Sequence, residues 1–154
     1  MASEAGSSTQ LLALFQALAA EPSRFGFFSV LRRIEAAHPD RPRLGTSVRL
    51  ADDPVRLGQE PSLVFAPSTL AHFETRADLP PRLDVFFLGL FGPQGPLPIH
   101  LTEYARERRR NDGDATFSRF ADMFHHRMLS LFYRAWVLNQ AAAVMDAGGA
   151  GMTA

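Results

Sequence analysis

FADMFHHRMLSLFYRAW, residues Phe120 to Trp136, decides how this chain is read. Its apolar residues recur at spacings of three and four, the signature of an amphipathic helix. With its flanks the apolar set is Phe117, Phe120, Ala121, Phe124, Met128, Leu131, Phe132, Ala135, Trp136 and Leu138. Asp114 is placed to cap this helix, which the pattern carries to about Met145. Inside it, Asp122 and His125 share a face, while His126 points about 100° away.

Working back from that helix, Asn111-Asp112-Gly113 is a break, and a shorter helix is predicted from about Ile99 to Arg110. Gly92-Pro93-Gln94-Gly95-Pro96 is a rigid turn ahead of it. Leu83 to Leu90, rich in Val, Phe and Leu, reads as a strand covered on both faces. Residues 39 to 82 are punctuated by Pro39, Pro42, Gly45, Pro54, Gly58, Pro61, Pro67 and Pro80. Short extended candidates lie between them at Ser47 to Leu50, Ser62 to Phe65 and Leu70 to Arg76.

Two helices are predicted at the front. One runs from Gln10 to about Ala20 with Leu11, Leu14, Phe15 and Leu18 on a stripe. The other is capped by Ser23 and runs to about Ala37, with Phe25, Phe28, Leu31 and Ile34 apolar and Arg32, Arg33 and Glu35 wet. His38-Pro39 ends it, since proline disfavours helical geometry in the residue before it. Helices, short strands, then a short and a long helix make the fold class α+β. No internal repeat and no heptad run emerges. Residues 1–9 read as a flexible N-terminus, 10–146 as one folded region and 147–154 as a disordered tail.

Composition sets the exclusions. The chain has 154 residues, enough for one domain with a real core. Sixteen basic residues, all arginine, balance sixteen acidic ones, so no net charge drives it toward nucleic acid or an anionic membrane. Cysteine is absent, which excludes disulfides, thiolate metal sites and thiol nucleophiles. The first ten residues carry no basic n-region of a secretory signal, and Val85 to Phe91 is too short to cross a bilayer. The expectation is a soluble, intracellular chain.

Two constellations could carry chemistry. His100, Glu103, Asp122, His125 and His126 could hold a metal for a small hydrolase, but a paired carboxylate-imidazole set on two helices needs further glutamates, and none appears. Arg106, Arg108, Arg109 and Arg110 form a basic run interleaved by Glu103 and Glu107, which suits a salt-laced solvated face better than a nucleic-acid reader. No phosphate-cradling loop and no nucleophile elbow is present, and no cofactor is implied.

The aromatics are the strongest feature. Thirteen Phe, two Tyr and one Trp include the adjacent pairs Phe27-Phe28, Phe86-Phe87 and Phe132-Tyr133. Neighbours on a helix diverge by about 100°, and neighbours on a strand oppose each other, so each pair needs cover on more than one side. Phe27, Phe28, Phe86, Phe87, Phe132, Tyr133 and Trp136 are therefore the expected packing or interface anchors. Trp136→Ala is expected to cost about 3–5 kcal/mol where the indole is fully buried.

Three blocks in order resemble the N-terminal half of the TssG (ImpH) family of type VI secretion baseplate subunits. They are Phe25 to Glu35 with Gly45, Val48 and Arg49; Pro61 to Ser68 with Val85 to Gly92 and Gly95 to Glu103; and Phe117 to Trp136. The resemblance implies a non-catalytic bacterial scaffold subunit that joins TssF in the baseplate wedge, with TssK and TssE as further contacts. It places the chain in the cytoplasm at the inner face of the inner membrane, supporting contractile tail assembly, with no nucleic acid and no membrane insertion. It gives His100, Glu103 and the His125-His126 pair a scaffold meaning as buried hydrogen-bonding positions. The family pattern is lost near Leu138, which implies a fragment, a truncated frame or a short form, and leaves TssK as the least supported contact.

Overall fold

The computed structural model describes residues 2–140. Four helices and one small sheet follow the order expected of an α+β chain. They are α1 (Ala2–Ala20), α2 (Phe27–Ala36), β1 (Arg56–Gln59), β2 (Leu70–Glu74), β3 (Arg82–Val85), α3 (Ile99–Asn111) and α4 (Thr116–Leu138). Short 3-10 turns at Pro22–Arg24 and Leu50–Asp52 link them. Helix α1 begins well before the predicted Gln10. The predicted continuation of α4 to Met145, like the tail at 147–154, lies outside the described residues.

The second helix starts later than the sequence suggests, because Pro22-Ser23-Arg24 forms its own 3-10 turn and Gly26 occupies the cap. Phe27, Val30, Leu31 and Ile34 are its buried face. Of the three extended candidates, only Leu70 to Arg76 forms a strand, shortened to β2. Ser62 to Phe65 forms none, and Ser47 to Leu50 leads into a 3-10 turn. The strand predicted at Leu83 to Leu90 stops at Val85, where the chain bends away at Phe86 and then passes through Leu88 at a φ of 47°.

The sheet order is β1-β3-β2, with β1 parallel and β2 antiparallel to the central β3. A register shift between Leu70 and His72 marks a bulge in β2. The main core gathers Leu14 and Leu18 of α1, the buried face of α2, Leu57, Leu70, Phe73, Leu83 and Val85 of the sheet, and Leu129, Tyr133 and Val137 of α4. A smaller cluster forms around Phe91, Ala105 and Ala121, joining α3 to α4.

The aromatic pairs spread from the main core to the surface. Phe27 is buried and meets Phe28 edge-on at 5.3 Å and Phe87 at 5.0 Å between ring centroids. Phe28 stacks on Trp136 at 4.7 Å. Tyr133 is buried and donates its hydroxyl to Glu35 Oε2 at 3.0 Å. Phe28, Phe86, Phe87 and Trp136 are only partly covered, and Phe132 is exposed. The partial burial of Trp136 lowers the expected cost of Trp136→Ala to about 2 kcal/mol, from the lost stacking and area. A urea titration followed by far-UV circular dichroism measures it, and a loss above about 4 kcal/mol would mean a fully enclosed indole.

Candidate functional site

Helix α4 is turned the other way from what its sequence suggests. Its buried residues are Ser118, Ala121, Asp122, His125, His126, Leu129, Ser130, Tyr133 and Val137. The residues read as its apolar face point largely outward: Phe120 is 56% exposed, Phe124 51% and Leu138 69%. Polar atoms go inside because of what α4 packs against, which is the open edge of β1.

Parallel pairing with β3 uses alternate amides of β1. The Arg56 amide donates to Pro81 O at 2.8 Å and the Glu60 amide to Val85 O at 2.9 Å. The intervening amides of Leu57 and Gln59 face away from β3, and such groups need acceptors when buried. Helix α4 supplies them. The Leu57 amide donates to His126 Nδ1 at 3.1 Å, and the Gln59 amide donates to Asp122 Oδ1 at 3.0 Å. Residues four apart on a helix rise about 6 Å, and residues two apart on a strand rise about 6.6 Å. The two spacings match closely enough for one helix face to serve one strand edge. The helix stands where a fourth strand would otherwise pair, so the edge is closed.

These bonds fix both histidine tautomers. His126 accepts at Nδ1, so its proton is on Nε2, which donates to Asp53 Oδ2 at 2.7 Å. His125 accepts the Leu90 amide at Nε2 at 2.9 Å and donates from Nδ1 to Asp122 Oδ1 at 2.9 Å. Each ring nitrogen therefore already has a partner. His125 thereby also holds the loop that follows β3. Gln59 secures that loop a second time, with Nε2 donating to Phe91 O at 3.0 Å and Oε1 accepting the Phe91 amide at 2.9 Å.

Buried charge completes the latch. Arg82 bridges Asp84, at 2.7 Å, and Asp122. Arg109 reaches in from α3 to Glu60 at 2.5 Å and Asp84 at 3.5 Å. Burial alone would raise the Asp122 carboxyl, but hydrogen bonds from His125, Gln59 and Arg82, with the Arg82 charge, hold it below its usual value. Burial opposes ionisation of Asp53 in the same way, and His126 and Ser47 again win, leaving it lowered. A carboxyl with a depressed folded pKa contributes stability above its unfolded value, about 3.9, and that contribution vanishes as pH falls through the folded value. Stability is therefore expected to fall steeply below about pH 4. Denaturant midpoints at pH 7, 4 and 3 measure this, and Asp122→Asn should flatten the acid limb; a midpoint flat to pH 3 contradicts it.

The five residues weighed as a metal set are not brought together. Among the described residues, no three His, Asp or Glu side chains form a group able to hold a metal ion. His100 and Glu103 are exposed on α3, so the scaffold meaning given to them as buried positions is corrected, whereas His125 and His126 are buried and hydrogen-bonded. Two of the four arginines in the basic run on α3 are spent on acids. Arg108 pairs with Asp112 at 2.9 Å and Asp114 at 2.7 Å, and Arg109 is engaged as above. Asp114 also accepts the Thr116 amide at 2.9 Å, close to its expected capping role. Bonds from the Thr116 hydroxyl and amide, and then Arg108, pull its carboxyl down to about 2.

Sequence reasoning singled out Asp122, His125 and His126 but missed Asp53, Gln59, Arg82 and Asp84. The signal for Arg82 and Asp84 was a charged pair alternating with Leu83 and Val85 in an otherwise apolar strand. No helix among the described residues is long and apolar enough to cross a membrane.

The buried imidazoles of α4 and the Gln59 side chain hold the chain's own backbone, and several aromatics reach the surface. Residues 21–153 match the family described as Type VI secretion, TssG, and the chain belongs to that family. It is thereby a component of type VI secretion. The match runs past Leu138, where the sequence reading lost the pattern. Comparison with curated proteins and with solved structures returned no match.

Proposed function

We propose that this chain is a non-catalytic structural subunit of the type VI secretion baseplate wedge, assembling with TssF to support the contractile tail. The observation that carries the reading is the outward apolar face of α4, on a helix whose polar face is used up internally. Large exposed apolar surface on a folded module is the mark of a protein interface. Family membership supplies the machine in which the partner is sought. TssK and TssE are further baseplate contacts in this reading, with TssK the less supported of the two. The chain then works in the cytoplasm, at the inner face of the inner membrane, without entering the bilayer or binding nucleic acid.

A small metal-dependent hydrolase finds no support in the geometry, because the buried imidazoles are already committed to backbone amides and carboxylates. Co-expression with TssF from the same gene cluster tests the structural reading. Co-purification of a stable complex is the expected result. A chain that purifies alone as a monomer and never captures TssF contradicts it.

A further inference from the structure

Once exposure separates the two faces of α4, the outward residues fall into a heptad. Phe124, Met128, Leu131, Ala135 and Leu138 follow spacings of four, three, four and three, and each is exposed or partly so. That is the seam spacing of a left-handed coiled coil. The seam covers about two heptads, roughly 21 Å of helix. Phe120, Phe132 and Trp136 interleave with the seam and mask the repeat in the sequence.

The flanking charges keep the same period. Arg127 and Arg134 lie seven residues apart, each directly before a seam residue, Met128 and Ala135. These are the flanking positions whose ion pairs select coiled-coil partners. Both arginines are exposed. Arg127 has no ion pair among the described residues, and Arg134 donates to the Gly45 carbonyl at 3.2 Å. The single acid of α4, Asp122, is buried against Arg82. The outward face thus carries regularly spaced cations and no anion.

We propose that the outward face of α4 is one strand of a short coiled coil, completed by a helix of another protein with an apolar seam and acidic flanking residues seven apart. The proposal rests on the reading of this chain as a subunit with a protein partner. A second copy of the chain is the wrong occupant by charge. An antiparallel pair of α4 helices would set arginine against arginine, and a parallel pair would set Arg127 and Arg134 against the positions of Phe132 and Asn139, which offer no carboxylate.

The test uses the full chain and two synthetic four-heptad peptides with leucine at the seam, one carrying glutamate at the flanking positions and the other lysine. Like charges keep either peptide from pairing with itself. Fluorescence anisotropy is expected to show the glutamate peptide binding about tenfold more tightly than the lysine peptide, with the gap closing in high salt. The double variant R127E/R134E should reverse that order, and Leu131→Glu should abolish binding with the far-UV spectrum unchanged. Equal binding of the two peptides, or none of either, overturns the proposal. So does a chain that dimerises and becomes monomeric as Leu131→Glu, since a second copy then holds the face. The TssF co-expression separates the two readings: capture that survives both R127E/R134E and Leu131→Glu overturns the coiled coil and leaves the proposed function standing. Failure of the wild-type chain to capture TssF counts against that function alone, because the peptide measurement does not use TssF.

Discussion

Asp122→Ala is expected to lower the unfolding free energy by about 3–5 kcal/mol, the range for removing one partner of a buried charge pair. One carboxylate serves four groups. It accepts the Gln59 amide at 3.0 Å and the His125 Nδ1 proton at 2.9 Å, pairs with Arg82, and lies 3.7 Å from Arg119. Alanine strands the edge amide of β1 and the imidazole proton, and leaves Arg82, with its side chain only 8% exposed, to Asp84 alone. Asp122→Asn keeps an acceptor for the amide but turns a second donor toward Arg82, so about 2–3 kcal/mol is expected for it. Urea midpoints of the two variants check the order. Arg106→Ala, on the exposed side of α3, should leave the midpoint where it is. An Asp122→Ala midpoint equal to wild type would mean that the edge of β1 is not held by α4.

Apolar periodicity was enough to read α2, α3, the start of β3 and the presence of α4. It failed where polar atoms do the packing. In α4 both faces are ordered at helical spacing, one by Phe120, Phe124, Leu131 and Leu138 and the other by Asp122, His125, His126 and Tyr133. The general rule assigns the apolar face to the core. The strand edge overrides that rule here, because buried amides demand acceptors more strongly than an aromatic face demands cover. The strand responsible is itself almost invisible in sequence. Arg56-Leu57-Gly58-Gln59 has one aliphatic residue in four, no β-branched residue, and a glycine at its centre. Its partners on α4 lie more than 60 positions away, since the Leu57–His126 bond spans 69 residues and the Gln59–Asp122 bond 63. Local pattern carries no information about contacts at that range. The histidine pair was legible as a feature, and what it holds was not.

That glycine carries the second large effect. Gly58→Ala is expected to cost about 3 kcal/mol, the upper end of the range for overpacking a filled interior. The cause is space and not backbone conformation, since Gly58 is not among the positive-φ residues. A methyl group there would overlap the end of the Arg82 guanidinium, and would stand 2.6 Å from Asp84 Oδ1 and 2.8 Å from Asp122 Oδ1. Flexible side-chain ends normally swing clear of such an intrusion. Here Arg82 is pinned between Asp84 and Asp122, and Asp122 is pinned by Gln59 and His125, so moving one breaks the bonds of the others. Gly26→Ala is the contrasting case, with nothing within 4 Å of the added carbon. Its loss should stay at about 1 kcal/mol or less, the cost of a weaker helix cap. Gly58→Ala and Asp122→Ala act on the same contact, so the double variant should lose less than the sum of the singles, by about 1 kcal/mol or more. Strict additivity in that cycle would place the clash elsewhere and detach Gly58 from the latch.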